Sequence, residues 1–98
     1  MKYINNTYTV EKCSLNKVIK KFDTPFFCYS EKKINENIKS FKNSFKSFSP
    51  IICFSTKSNC NLEILKLIKQ NGLGADVVSR GELMIALKAG INSKKIVF

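Results

Sequence analysis

Apolar positions along this chain alternate between short continuous runs and stripes spaced three and four residues apart, and each change of rhythm predicts an element. The first 23 residues are weakly patterned. Tyr8 and Val10 are followed by Leu15, Val18 and Ile19 ahead of the pair Lys20-Lys21, which predicts only a short helix from about Ser14 to Lys21. Thr24-Pro25-Phe26-Phe27-Cys28-Tyr29 is an apolar run opened by proline, a residue that belongs at the first position or on the edge of a strand, and a strand is predicted there. Ser30 is a good helix N-cap, and from Glu31 the apolar residues Ile34, Ile38, Phe41 and Phe45 recur at spacings of four, three and four, which makes one helical face. Ser49-Pro50 breaks the chain.

A second strand follows at Ile51-Ile52-Cys53-Phe54 and runs into the polar stretch Ser55-Thr56-Lys57-Ser58-Asn59. Asn59 or Asn61 then caps a helix carrying Leu62, Leu65 and Ile68, with Ile64 and Leu67 beside them, and Gly72 and Gly74 terminate it. Ala75-Asp76-Val77-Val78 is the next strand. Ser79-Arg80-Gly81-Glu82 fits the S-x-x-E capping box of a helix expected to turn Leu83, Met84 and Leu87 inward and to close at Gly90. Ile96-Val97-Phe98 opens a further strand, and an apolar strand without cap or polar tail gives the expectation of a piece of a longer protein.

Strands and helices alternating through connections this short imply an α/β fold with parallel strands and right-handed crossovers. A doubly wound sheet and a (β/α)8 barrel both satisfy that pattern. The turn after the Lys57 strand lacks G-x-G-x-x-G, so a dinucleotide fingerprint is missing where it belongs. A barrel takes about 250 residues and eight units. The expectation is therefore the N-terminal portion of a barrel, truncated after about two β/α units, with residues 1–23 as a lead-in segment and residues 24–98 as the partial barrel domain.

Composition narrows the chemistry. Seventeen Lys and Arg against seven Asp and Glu give a net charge of +10, which invites a nucleic-acid or anionic-membrane reading. Arg80 is the only arginine and the lysines are dispersed, whereas bidentate readers of phosphates and bases are mostly Arg, so neither nucleic acid nor membrane is expected as a partner. The four cysteines, Cys13, Cys28, Cys53 and Cys60, have no C-x-x-C spacing and there is no His, which argues against a metal site and for reduced thiols. No stretch approaches the roughly 20 apolar residues of a membrane span and the N-terminus has no signal-peptide core; a cytoplasmic protein is the simplest reading.

Lys57 is the candidate for chemistry. An amine directly after a buried strand stands where the C-terminal ends of barrel strands carry the active site. In such a place desolvation and neighbouring charge leave a useful fraction of amines neutral and nucleophilic, as Schiff-base chemistry requires. Asp76, early in the next strand, either balances the charge of that amine or faces water as an ordinary polar residue. The hydroxyls of Ser55, Thr56 and Ser58 and the amide of Asn59 either bind a ligand or satisfy backbone groups at the strand end.

Four segments in series carry a family resemblance: Thr24 to Tyr29, Phe54-Ser55-Thr56-Lys57-Ser58-Asn59, Gly74 to Leu83, and Ala89-Gly90-Ile91 leading to Lys95-Ile96-Val97-Phe98. In them the chain resembles the N-terminal part of the diaminopimelate decarboxylases, within the alanine-racemase-like (fold type III) pyridoxal-phosphate enzymes that also hold ornithine and arginine decarboxylases. The family's lysine motif usually reads Tyr-Ala-Val-Lys-Ala-Asn, so the resemblance implies that Lys57 is the Schiff-base lysine for pyridoxal 5′-phosphate. The second motif usually reads Gly-Ala-Asp-Val-Val-Ser-Gly-Gly-Glu-Leu, which implies that Asp76 lies near the cofactor. Phe54, Ser55, Thr56, Ser58 and Arg80 depart from those motifs.

The activity implied is decarboxylation of meso-diaminopimelate to L-lysine, with a homodimer formed by the full-length protein. The stacking His, the Gly-rich phosphate loop, the acidic partner of the pyridine nitrogen and a Cys from the partner subunit come later in the family, so the 98 residues alone are expected to be inactive. Another decarboxylase of the group, acting on ornithine, arginine or carboxynorspermidine, and a non-catalytic pyridoxal-phosphate carrier are the alternatives.

Overall fold

A computed structural model of the chain describes residues 2–98. It divides into two compact units, one ending at Glu36 and the other running from Asn37 to Phe98.

The first unit contains an antiparallel sheet of β1 (Lys2–Ile4), β2 (Thr7–Val10) and β3 (Cys13–Ser14), followed by a short helix α1 (Leu15–Ile19). The sheet was not expected from the apolar pattern; the helix falls within the predicted span. Asn5 and Asn6 form the two-residue turn between β1 and β2 with φ of 47° and 59°. Left-handed values at both positions match the right-handed twist of a tight hairpin, and asparagine tolerates them better than most residues. The second tight loop places Glu11 at φ 57°, and its side chain is tied down: Oε1 accepts from the Ser30 hydroxyl at 2.8 Å and from the Lys32 backbone N–H at 2.9 Å.

Thr24 to Tyr29, predicted as a strand, pairs with no strand among the described residues. Its side chains nevertheless alternate, Phe26 and Cys28 half-buried and Phe27 and Tyr29 exposed. The residues have the period of a strand without a ladder, because a ladder needs a neighbour to share its hydrogen bonds. Helix α2 (Glu31–Ser44) follows, as its spacing predicted, with Ser30 Oγ accepting from the Lys33 N–H at 3.1 Å as the cap.

In the second unit β4 (Cys53–Ser55), β5 (Gly74–Asp76) and β6 (Ile96–Val97) form a parallel sheet in sequential order. They are joined through α3 (Leu62–Gln70) and α4 (Arg80–Lys88), so two β/α units are complete. Asn61 caps α3, accepting from the Glu63 N–H at 2.9 Å, and Ser79 caps α4, accepting from the Glu82 N–H at 3.1 Å. The Glu82 carboxylate returns to the Val78 N–H at 2.9 Å, closing the expected capping box one residue further out. Each helix ends in a Schellman motif. Gly72 (φ 75°) and Gly90 (φ 85°) take the left-handed position, and the Leu73 and Ile91 N–H groups bond back to the carbonyls of Ile68 and Ala86.

Between sheet and helices lies a small core of Ile64, Leu65, Ile68, Leu73, Ala75, Val77, Ala86, Ala89 and Ile91. The inward face of α4 differs from the prediction. Met84 and Leu87 are 58% and 43% exposed, Leu83 is half-buried, and Ala86 and Ala89 are the buried residues. Small side chains let a helix lie close against a sheet, so alanines can win the inner face from larger apolar residues that remain free to cover other surface. No helix among the described residues is long and apolar enough to cross a membrane.

Candidate functional site

Lys57 and Asp76 stand at the same end of two neighbouring strands. In the parallel β4–β5 ladder Ser55 is the register partner of Asp76, and each is the last residue of its strand. Asp76 therefore closes β5 where the sequence reading had placed it early in the strand. Lys57 lies two residues beyond Ser55, in the 3-10 turn Thr56–Ser58 that caps β4. The Lys57 side chain is exposed and Asp76 is half-buried. The amine is thus open to a ligand at the C-terminal edge of the sheet, and the carboxylate sits one strand over.

Alternation explains which side chains meet. Ser55 and Asp76 share one face of the sheet, and their neighbours Phe54 and Ala75, also register partners, take the other. Ala75 and Val77 are fully buried, and Ser55 and Asp76, both half-buried, take the opposite face. β5 approaches its neighbours closely: a Cβ on Gly74 would lie 2.9 Å from Cys53 Sγ and would collide with the Lys95 carbonyl oxygen.

Most of the polar residues beside Lys57 serve the backbone. The Ser58 hydroxyl donates to the Ser55 carbonyl at 2.7 Å, the Asn59 N–H donates to the Thr56 carbonyl at 3.1 Å, and Asn59 Oδ1 accepts from the Asn61 N–H at 3.0 Å. Asn61 in turn caps α3, so this relay runs from the Lys57 turn into the helix. Thr56 is the exception: it is fully buried, and its Oγ1 has no hydrogen-bond partner among the described residues. Its burial has no periodic signature in the sequence, where it reads as one more polar residue after a strand.

Among the described residues no group of three or more His, Cys, Asp or Glu could hold a metal ion. What the strand ends present is a primary amine, accessible to solvent, with a carboxylate on the adjoining strand. That donor set suits an aldehyde-bearing cofactor, which an amine captures covalently and a carboxylate balances electrostatically.

The fold defines a class: the opening of a pyridoxal-phosphate-type (β/α)8 barrel. The model of the pyridoxal-dependent decarboxylase family, pyridoxal binding domain, matches residues 31–98, and the chain belongs to that family. It is 47% identical over 77 residues to a diaminopimelate decarboxylase of Helicobacter pylori, covering 79% of this chain and 19% of the relative. It is 36% identical over 98 residues to one of Aquifex aeolicus, covering all of this chain and 23% of the relative. Among solved structures, diaminopimelate decarboxylase from M. jannaschii in co-complex with L-lysine superposes with a TM-score of 0.90 at 35% identity, over 96% of this chain and 23% of that one. The chain thus spans about a fifth of the length of the curated relatives it matches.

Proposed function

We propose that this chain carries the cofactor-anchoring segment of a pyridoxal-phosphate-dependent decarboxylase acting on meso-diaminopimelate to give L-lysine, with Lys57 as the residue that holds the cofactor covalently. The observation that carries the proposal is the pairing of strand ends: a carboxylate closing β5 and an exposed amine two residues beyond its register partner on β4, within the matched pyridoxal-binding domain. The substrate reading is supported by relatives named as diaminopimelate decarboxylases and by a solved diaminopimelate decarboxylase in co-complex with L-lysine. The barrel portion is proposed to begin at Thr24, ahead of the family match, because the residue-by-residue alternation of burial from Phe26 to Ser30 is that of an extended strand. Four free cysteines agree with a reducing, cytoplasmic setting.

When bound, pyridoxal phosphate supplies the electron sink that lets a carboxylate depart as CO2. The chain's own residues supply anchoring and charge. Lys57 would hold the cofactor through its amine nitrogen, and when not so engaged that amine would serve as a base or an acid. Asp76, at the end of the adjoining strand, would favour positive charge on a nitrogen held near it. Ser58 and Asn59 bond across the turn that carries Lys57.

The test is chemical mapping. The chain is incubated with limiting pyridoxal phosphate, reduced with borohydride and digested, with Lys57→Arg as control. Label concentrated on the peptide bearing Lys57, and lost in the control, is expected; label spread over other lysines refutes the assignment.

A further inference from the structure

We infer that Thr56 is a positioning residue for Lys57: its buried, unpartnered hydroxyl keeps the Thr56–Ser58 turn ready to move, and so sets how easily the lysine amine is released and recaptured. The inference rests on Lys57 being the cofactor anchor.

Burying a hydroxyl without a partner is unfavourable, whereas an apolar side chain of the same shape fills the site at little or no cost. Thr56 is fully buried and its Oγ1 is unsatisfied among the described residues. The polar groups that follow it in sequence are engaged elsewhere. Ser58 Oγ bonds the Ser55 carbonyl, the Asn59 N–H bonds the Thr56 carbonyl, and Asn59 Oδ1 holds the Asn61 N–H. The turn also packs against α4. A turn bonded across by Ser58 and Asn59 and packed against a helix therefore opens on a buried polar group that has no partner among the described residues. Any rearrangement that offers that hydroxyl a carbonyl or a water is favoured by the hydrogen bond it gains, so the observed arrangement is weakened in relation to a nearby alternative.

A weak point in that position suits a lysine anchor. Covalent attachment and release require the amine to leave one bonding position and return to it in every cycle, and moving elements are drawn from the locally less stable parts of a fold. Thr56 acts through the backbone of Lys57 and not by touching cofactor or substrate.

Two readouts on the intact chain test this, with Thr56→Val removing the hydroxyl and Thr56→Ser keeping it. The first needs no cofactor: amide hydrogen exchange at Asn59, whose N–H bonds the Thr56 carbonyl. Several-fold slower exchange in Thr56→Val, with no matching slowing across α3, is expected, and exchange at least as fast as the parent in Thr56→Ser. The second is the rate at which hydroxylamine releases pyridoxal phosphate from the chain, expected to fall several-fold in Thr56→Val and to be retained in Thr56→Ser. Slowing of both supports the inference. Slowing of neither, of the amide alone, or of all core amides equally overturns it, the last meaning that the hydroxyl is only a packing defect. Borohydride mapping on the same samples separates the two claims: label at Lys57 with unchanged release rates defeats the role of Thr56 alone, whereas label on another lysine defeats the anchor and this inference with it.

Discussion

Glu11 and Ser30, nineteen residues apart in sequence, are joined by a 2.8 Å hydrogen bond from the serine hydroxyl to Glu11 Oε1. The same oxygen accepts from the Lys32 N–H, so a carboxylate from the tight turn before β3 sits over the first turn of α2. Negative charge is favourable at a helix N-terminus, and the free N–H groups there need acceptors.

That arrangement predicts a pH dependence. The Lys32 N–H first, and then the Ser30 hydroxyl, lower the Glu11 pKa from its ordinary value of 4.5. A carboxyl whose folded pKa is depressed binds fewer protons than in the unfolded chain, so its contribution is present above the ordinary value and is lost as pH falls through the lowered one. Protection of the Lys32 and Lys33 amides, followed by NMR, should drop over that acidic window. In Glu11→Gln it should be lower at neutral pH and nearly flat across the window.

Two glycine substitutions should act in opposite directions. Gly74→Ala forces a methyl against Cys53 Sγ and the Lys95 backbone carbonyl, and overpacking of that kind costs about 3 kcal/mol, read as a lower urea midpoint. Gly81, in the first turn of α4, has only the Ser79 hydroxyl 3.9 Å from where a Cβ would stand. Gly81→Ala should therefore stabilise by about 0.5 kcal/mol, because alanine loses less backbone entropy in a helix.

Asp76→Asn keeps the shape of the side chain and removes its charge. If Asp76 balances a cationic nitrogen on Lys57, the affinity of the chain for pyridoxal phosphate should fall about tenfold, equivalent to about 1.4 kcal/mol. Titration by absorbance measures it. An unchanged affinity with an unchanged fold would return Asp76 to the role of a solvated strand end.

The 98 residues should capture the aldehyde without turning over substrate. Lys57 is exposed, so water is not excluded from the position where charge would develop, and the chain has no histidine to offer a ring or a proton. Carbon dioxide release from meso-diaminopimelate should be absent from the isolated chain with cofactor added. Release that disappears in Lys57→Arg would show the chain to be self-sufficient.

How far these features were readable differs by element. The β/α repeat was legible because each helix announces both ends locally: Asn61 and Ser79 are caps by chemistry, and Gly72 and Gly90 adopt a backbone that few other residues tolerate. The sequence placed Asp76 on the strand after that of Lys57, balancing the amine or facing water, but the register that brings the two strand ends level was not legible, since crossover geometry sets it and leaves no local mark. The first hairpin hid in strands of three and four residues, too short for alternation to register, although Asn5-Asn6 was an available turn signal. The buried face of α4 went to Ala86 and Ala89 because closeness to the sheet, and not side-chain size, decided it.

The end of α3 also governs chemical ageing. Asn71-Gly72 is the dipeptide at which asparagine cyclises and deamidates most readily, through attack of the following backbone nitrogen on the side-chain amide. Here the Gly72 N–H is held by the Lys69 carbonyl at 2.9 Å, and Asn71 Nδ2 donates to the Leu67 carbonyl at 2.8 Å, so nucleophile and target are both restrained. The motif that stops the helix thereby acts as a preservative, and conversion of Asn71 to aspartate during storage becomes a slow clock for how often that helix end comes undone.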